Sequence, residues 1–230
     1  MKVFAISDLH LTNSVDKPMD IFGTGWVGHW DKIRTDWMEK VTDEDVVTIP
    51  GDISWGMTVD EAIEDLRQID ELPGKKVICK GNHDYWWQSY KKLNELGLHS
   101  VVFLQNNAQK IGEYVFCGTR GWTIPDATTG EDDVKIFHRE IGRLEMSLLE
   151  GVKVAEGGEV IGMMHYPPFN AKNEPSPFTE LFEKYGVKKV VYGHLHGENY
   201  AHIRKCIEIN GVEYRLIACD FLNFSLIRLC

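Results

Sequence analysis

The stretch Val77-Ile78-Cys79-Lys80-Gly81-Asn82-His83-Asp84 decides the fold, because a short apolar run stops at a glycine and an amide, an imidazole and a carboxylate follow at once. An apolar run of that length bounded by turn residues reads as a buried strand. The same pattern recurs elsewhere. Residues 3–7 run into Asp8-Leu9-His10, residues 46–50 into Gly51-Asp52, residues 160–164 into His165, and residues 190–192 into Gly193-His194-Leu195-His196. Metal-ligating side chains just past the carboxyl ends of several strands converge on one crevice of an α/β sheet.

Segments with helical spacing lie between these runs. Residues 31–41 carry Ile33, Trp37, Met38 and Val41 on one face, and residues 59–69 carry Ala62, Ile63, Leu66 and Ile69 after a Thr58 suited to a helix start. Further helices are predicted over 85–96, ended by Gly97, over 132–149, ended by Gly151, and over 177–185, opening on Pro177. Strand and helix alternate through the first hundred residues, the pattern of a largely parallel sheet. Later strands over 100–104, 114–118, 200–209, 212–218 and 224–229 read as more antiparallel, with Asn210-Gly211 as a hairpin turn. The fold class is α/β. No repeat, low-complexity tract or linker divides the chain, so we expect one domain over residues 1–230.

A formal charge of -10 argues against a nucleic-acid backbone or an anionic membrane as the main partner. It does not exclude a phosphate substrate, since bound cations invert the local field. The five cysteines are scattered with no Cys-x-x-Cys pair, which suits free thiols in a reducing compartment. With no basic, apolar leader and no apolar stretch of spanning length, the expectation is a soluble, cytoplasmic protein.

The chemistry lies in Asp8, His10, Asp52, Asn82, His165, His194 and His196. Asp8 and His10 stand one residue apart and would point the same way from an extended backbone. Asp52 has two oxygens and can bridge two cations, and the set as a whole suits two divalent ions such as Mn, Fe or Zn better than one. Two such ions trap a hydroxide and clamp a phosphoryl group during in-line displacement. His83 is placed to protonate the leaving alkoxide, with Asp84 to orient or polarise its ring or else to cap a helix beginning near Tyr85.

The ordered set Asp-x-His, Gly-Asp, Gly-Asn-His-Asp, His and Gly-His-x-His, from Asp8 to His196, resembles the calcineurin-like metallophosphoesterase family. The resemblance implies a four-layer α/β/β/α sandwich with two mixed sheets and the metal site at one end of the strands. It implies that Asp8, His10, Asp52 and His196 hold the first ion and that Asp52, Asn82, His165 and His194 hold the second. His83 would be the general acid and Asp84 its partner. The substrate would be a small phosphate ester, within a family that cleaves phosphomonoesters, phosphodiesters and nucleotide anhydrides. The alternative is a catalytically silent scaffold that keeps the sandwich for protein binding.

Other residues have plainer readings. His29, His99, His138 and His202 fall outside the motifs and read as surface or core histidines. Trp55, Trp86 and Trp87 follow the motifs and either pack in loops and helices or form a wall for a base or an apolar leaving group. Arg120, Arg139 and Arg143 flank the loop over 122–133 and read first as solvated charge, with extra phosphates as the alternative.

Overall fold

Alternate side chains of the strands divide between two buried faces. Val3, Ala5, Val46, Val77 and Cys79 pack on Phe116, Ile161, Met163 and Val191, whereas Phe4, Val47 and Ile78 face a separate apolar layer. A period of two with both faces buried is what strands inside a layered sandwich require.

The computed structural model describes residues 1–197 and 203–230. Its elements run β1 (Val3–Ala5), α1 (His29–Lys40), β2 (Val46–Pro50), α2 (Val59–Asp70), β3 (Lys75–Cys79), α3 (Tyr90–Asn94), β4 (Val101–Leu104), β5 (Ala108–Ile111) and β6 (Tyr114–Thr119). They continue with α4 (Glu131–Ala155), β7 (Glu159–Met164), α5 (Pro177–Lys184), β8 (Lys189–Tyr192), β9 (Cys206–Ile209), β10 (Val212–Leu216) and β11 (Ile227–Arg228). One mixed sheet has the order β11-β1-β2-β3-β4 and the other β5-β6-β7-β8-β10-β9. β1 to β4 are mutually parallel, as are β6, β7, β8 and β10, and the edge strands β11, β5 and β9 run antiparallel to their neighbours.

Ile33 and Trp37 of α1 and Ala62 and Leu66 of α2 cover the outer face of the first sheet. Phe137, Leu144 and Leu148 of α4 and Phe178 and Phe182 of α5 cover that of the second. The layers are therefore helix, sheet, sheet, helix. No helix among the described residues is long and apolar enough to cross a membrane.

The structure corrects several sequence expectations. The helix expected over 85–96 shrinks to α3, because Trp86 and Trp87 turn inward into the core and the chain closes a turn from Asp84 to Trp87. β5 went unforeseen because it is a short, partly polar edge strand. The strand expected over 200–209 falls partly outside the described residues, and β9 is its described part.

Gly151 does not end α4, which runs on to Ala155. A Cβ there would strike Cys117 Sγ on β6, so the glycine lets helix and sheet approach closely. Gly151→Ala should lower the urea midpoint by the equivalent of about 1–3 kcal/mol, overpacking outweighing the roughly 1 kcal/mol that alanine gains in helix propensity.

Candidate metal centre

The carboxyl ends of β1, β2, β3, β7 and β8 meet at one end of the sandwich, and all seven expected donors stand there. Asp8, His10, Asp52 and His165 are fully buried. The loops after β1 and β2 stay paired beyond the strands, with Asp8 N–H donating to Gly51 O, His10 N–H to Asp52 O and Leu11 N–H to Ile53 O. Gly51 and Gly81 make close packing of the next loop feasible, since a Cβ on Gly51 would lie 2.6 Å from Gly81 Cα and one on Gly81 would enter the Asp52 carboxylate.

The backbone at the donors is not extended, which corrects the expectation for Asp8 and His10. Their φ values are +57° and +46°, and Asp52 and His194 share the left-handed region at +53° and +68°. Such conformations are costly for non-glycine residues and persist where surrounding structure imposes them. Here left-handed turns at the strand ends, rather than strand alternation, bring the side chains together.

The donors form two groups that share Asp52. In the first, ligand atoms of Asp8, His10, Asp52 and His196 all lie within 4.8 Å of one another, and His10 Nε2 is 3.3 Å from His196 Nε2. In the second, Asn82 Oδ1 is 2.7 Å from His165 Nε2 and 2.9 Å from His194 Nδ1. Asp52 Oδ1 accepts from His83 N–H at 2.9 Å. Asp52 Oδ2 is buried without a hydrogen-bond partner among the described residues, 3.7 Å from His10 Nε2 and 3.4 Å from His165 Nε2. His165 Nδ1 lies 3.1 Å from the Pro50 carbonyl, so the tautomer that donates there leaves Nε2 with a lone pair facing the group.

Burial dominates the electrostatics. It raises Asp8 and Asp52 above the usual carboxylate range, and Asp52 adds repulsion at Asp8. Burial and then neighbouring imidazoles lower His10 and bring His194 to about 3, and burial brings His165 to about 3. Neutral imidazoles, carboxylate oxygens and an amide oxygen converging with an orphaned buried oxygen fit divalent cations of the Mn, Fe or Zn kind.

Asp84 does not partner the His83 ring. Its carboxylate is fully buried and accepts from the backbone N–H groups of Asp52 (3.0 Å), Ile53 (2.9 Å) and Gly81 (2.7 Å) and from Trp86 Nε1 (3.1 Å). The carboxylate thereby ties the loop after β2 to the loop after β3. Nor does it cap a helix, since α3 begins only at Tyr90. Asp84→Asn should cost about 2–4 kcal/mol in urea denaturation, because an NH₂ group must face backbone N–H donors.

His83 is half-buried, its Nδ1 without a hydrogen-bond partner among the described residues. Its ring centroid lies 4.3 Å from that of Trp55, which also stacks on His10 at 5.0 Å. Of the other two candidate wall residues, Trp86 is wholly buried and Trp87 nearly so, both within the core. His29 is a buried histidine with Nε2 2.9 Å from the Leu9 carbonyl; His99 and His138 are exposed, and His202 lies outside the described residues. Sequence reading passed over Tyr166, whose ring lies 4.1 Å from that of His194; its adjacency to His165 was the available signal. A cleft of about 590 Å³ opens beside these two residues, lined also by Ile124, Pro125, Phe169 and Leu195.

The profile of the calcineurin-like phosphoesterase family matches residues 1–198, a span that holds every donor above. The chain belongs to this family. No curated protein matches the chain significantly. Among solved structures, a protein of unknown function from Aquifex aeolicus is 17% identical over 99% of this chain and 95% of that chain, with a TM-score of 0.53. A phosphopantetheinyl hydrolase from Mycobacterium tuberculosis is 15% identical over 94% of this chain and 88% of that chain, TM-score 0.56. A protein from Thermus thermophilus is 10% identical over 99% of this chain and 97% of that chain, TM-score 0.61. At these identities the likeness concerns the calcineurin-like fold.

Proposed function

We propose that the chain is a binuclear metal-dependent phosphoesterase of the cytoplasm, acting as one domain over residues 1–230 on a small phosphate monoester or diester. The observation that carries this reading is Asp52 Oδ2, a buried oxygen with no hydrogen-bond partner among the described residues that lies near both His10 Nε2 and His165 Nε2. In this reading Asp8, His10, Asp52 and His196 hold one ion, and Asp52, Asn82, His165 and His194 hold the other. Ions so held supply positive charge for the phosphoryl oxygens and acidify a water into a nucleophile.

The chain's own groups do the remaining work. The His165–Pro50 contact presents one imidazole lone pair to the site and keeps that ring from turning. His83 N–H fixes the acid residue to the shared carboxylate, so its ring is held at a set distance from the reacting phosphoryl group. Burial lowers the pKa of His83, which makes its imidazolium a better proton donor to the leaving oxygen. Trp55 packs against the His83 ring and shields that face from water. The cleft beside His194 and Tyr166 offers mostly apolar walls to the organic part of the substrate.

Metal stripping tests the reading. Chelated protein should lose hydrolysis of mono-aryl and bis-aryl phosphates and regain it with Mn, and undiminished hydrolysis after chelation would refute the proposal. Reloading at about 100 times Kd should add about 2.7 kcal/mol per site. In a chain of this length each kcal/mol raises Tm by roughly 2–4 °C in a thermal scan. A panel of nucleotides and a phosphopantetheinyl ester then ranks substrates, the last included because of the Mycobacterium tuberculosis neighbour's name.

A further inference from the structure

A second cavity, of about 310 Å³, is lined by Lys80, Arg120, Arg143, Glu140, Ser89 and Gln105 among others. Arg120 and Arg143 are not the solvated charges expected from sequence, because they gather on Glu140, a fully buried carboxylate of α4. Glu140 accepts from Thr119 Oγ1 at 2.6 Å and Arg143 Nη1 at 2.7 Å, which occupies both its oxygens. Arg120 Nη2 stands off at 3.6 Å, its guanidinium lies over the Trp122 ring at 4.4 Å, and its Nε is buried without a hydrogen-bond partner among the described residues. Lys80 makes neither a hydrogen bond nor an ion pair with any described residue, although the buried Asp84 and Glu140 carboxylates act on its charge.

A structural ion network would come close to balance, whereas here three cations line a partly enclosed polar cavity in which Glu140 is the one carboxylate among the described lining residues, with Asp84 acting on Lys80 from outside it. Such an excess is stable only with an anion nearby or water to screen it. The cavity also adjoins the candidate metal centre. Lys80 immediately precedes Gly81-Asn82, and the Arg120 carbonyl accepts from His165 N–H at 3.1 Å and Tyr166 N–H at 2.9 Å. Lys80 shares its segment with Asn82, and Arg120 is joined through its backbone to the segment that carries His165.

We propose that this cavity is an anion subsite for a second phosphate group of the substrate, one that is held and not cleaved. The proposal rests on the phosphoesterase reading above and narrows it to substrates with two separated phosphate groups. The Arg120 and Arg143 guanidinium forks suit phosphate oxygens, Lys80 adds a point charge, and Ser89 and Gln105 offer neutral donors.

Calorimetric titration of the full chain tests it, with alkanediol bisphosphates of two to four carbons against the matching alkyl monophosphates. Wild type should bind the best bisphosphate at least about tenfold more tightly than its monophosphate, the effect of one or two charge-assisted hydrogen bonds. Lys80→Met should reduce that advantage to about twofold or less with monophosphate binding unchanged, and Lys80→Arg should retain it. Lys80 has no hydrogen bond or ion pair to lose among the described residues, so these variants should fold as wild type does. Equal affinity of wild type for both compound classes overturns the subsite, and so does an undiminished advantage in Lys80→Met. Because binding is read directly, a chain that hydrolyses no phosphate ester yet shows the Lys80-dependent preference upholds the subsite while refuting the phosphoesterase reading.

Discussion

Asp52→Asn should lower kcat/KM on an aryl phosphate by at least about 10³-fold and leave no more than one tightly held ion per chain. The expectation follows from the geometry of one side chain. Asp52 Oδ1 is tied to the His83 N–H, so only Oδ2 is free to face His10 and His165. An amide of the same volume cannot serve both ends. If its oxygen keeps the His83 contact, its NH₂ group points at imidazole lone pairs; if it turns over, two N–H donors oppose each other. Either arrangement removes the charge shared by the two donor groups. Folding should survive, because burial already disfavours the ionised Asp52 and an amide carries no charge to desolvate. The metal-free variant should therefore melt no lower than metal-free wild type. Turnover within tenfold of wild type, or two ions per chain by elemental analysis, would contradict the assignment of Asp52.

The contrast between what was legible and what was not has a physical basis. Strand runs such as 46–50 and 77–80 could be read because a strand buried on both faces must be apolar throughout, and the polar residue that ends it is then conspicuous. A crevice at the strand ends follows from that pattern, whereas the four layers are what the family resemblance implies. The left-handed backbone at Asp8, His10, Asp52 and His194 could not be read, since the modest preference of aspartate and histidine for that region does not single out these positions and the neighbouring loops impose it. Asp84 was misread for a related reason. In sequence it sits beside His83, but the backbone groups it accepts from belong to residues 52, 53 and 81, two of them some thirty positions upstream. Gly151 read as a helix stop because only the packed structure reveals Cys117 behind it. Arg120 and Arg143 read as surface charge because nothing local announces that Glu140 is buried.

His83→Asn should reduce kcat on an alkyl phosphate ester by about 10²–10⁴-fold, the usual range for losing a general acid. The loss on p-nitrophenyl phosphate should be much smaller, since that leaving group departs without a proton. Ion content should stay at the wild-type value, because the His83 ring belongs to neither donor group and its backbone N–H still reaches Asp52. The pH dependence supplies an independent check. Burial lowers the pKa of His83 from 6.5, so the protonated, donating form is most abundant below that value and declines as pH rises. The ratio of wild-type to variant kcat on the alkyl ester should accordingly be largest in acid and shrink toward alkaline pH. With p-nitrophenyl phosphate the ratio should change little over the same interval. If both esters lose activity equally and the ratio is flat in pH, His83 positions the substrate against Trp55 and the Asp52 loop, and the leaving group takes its proton from elsewhere.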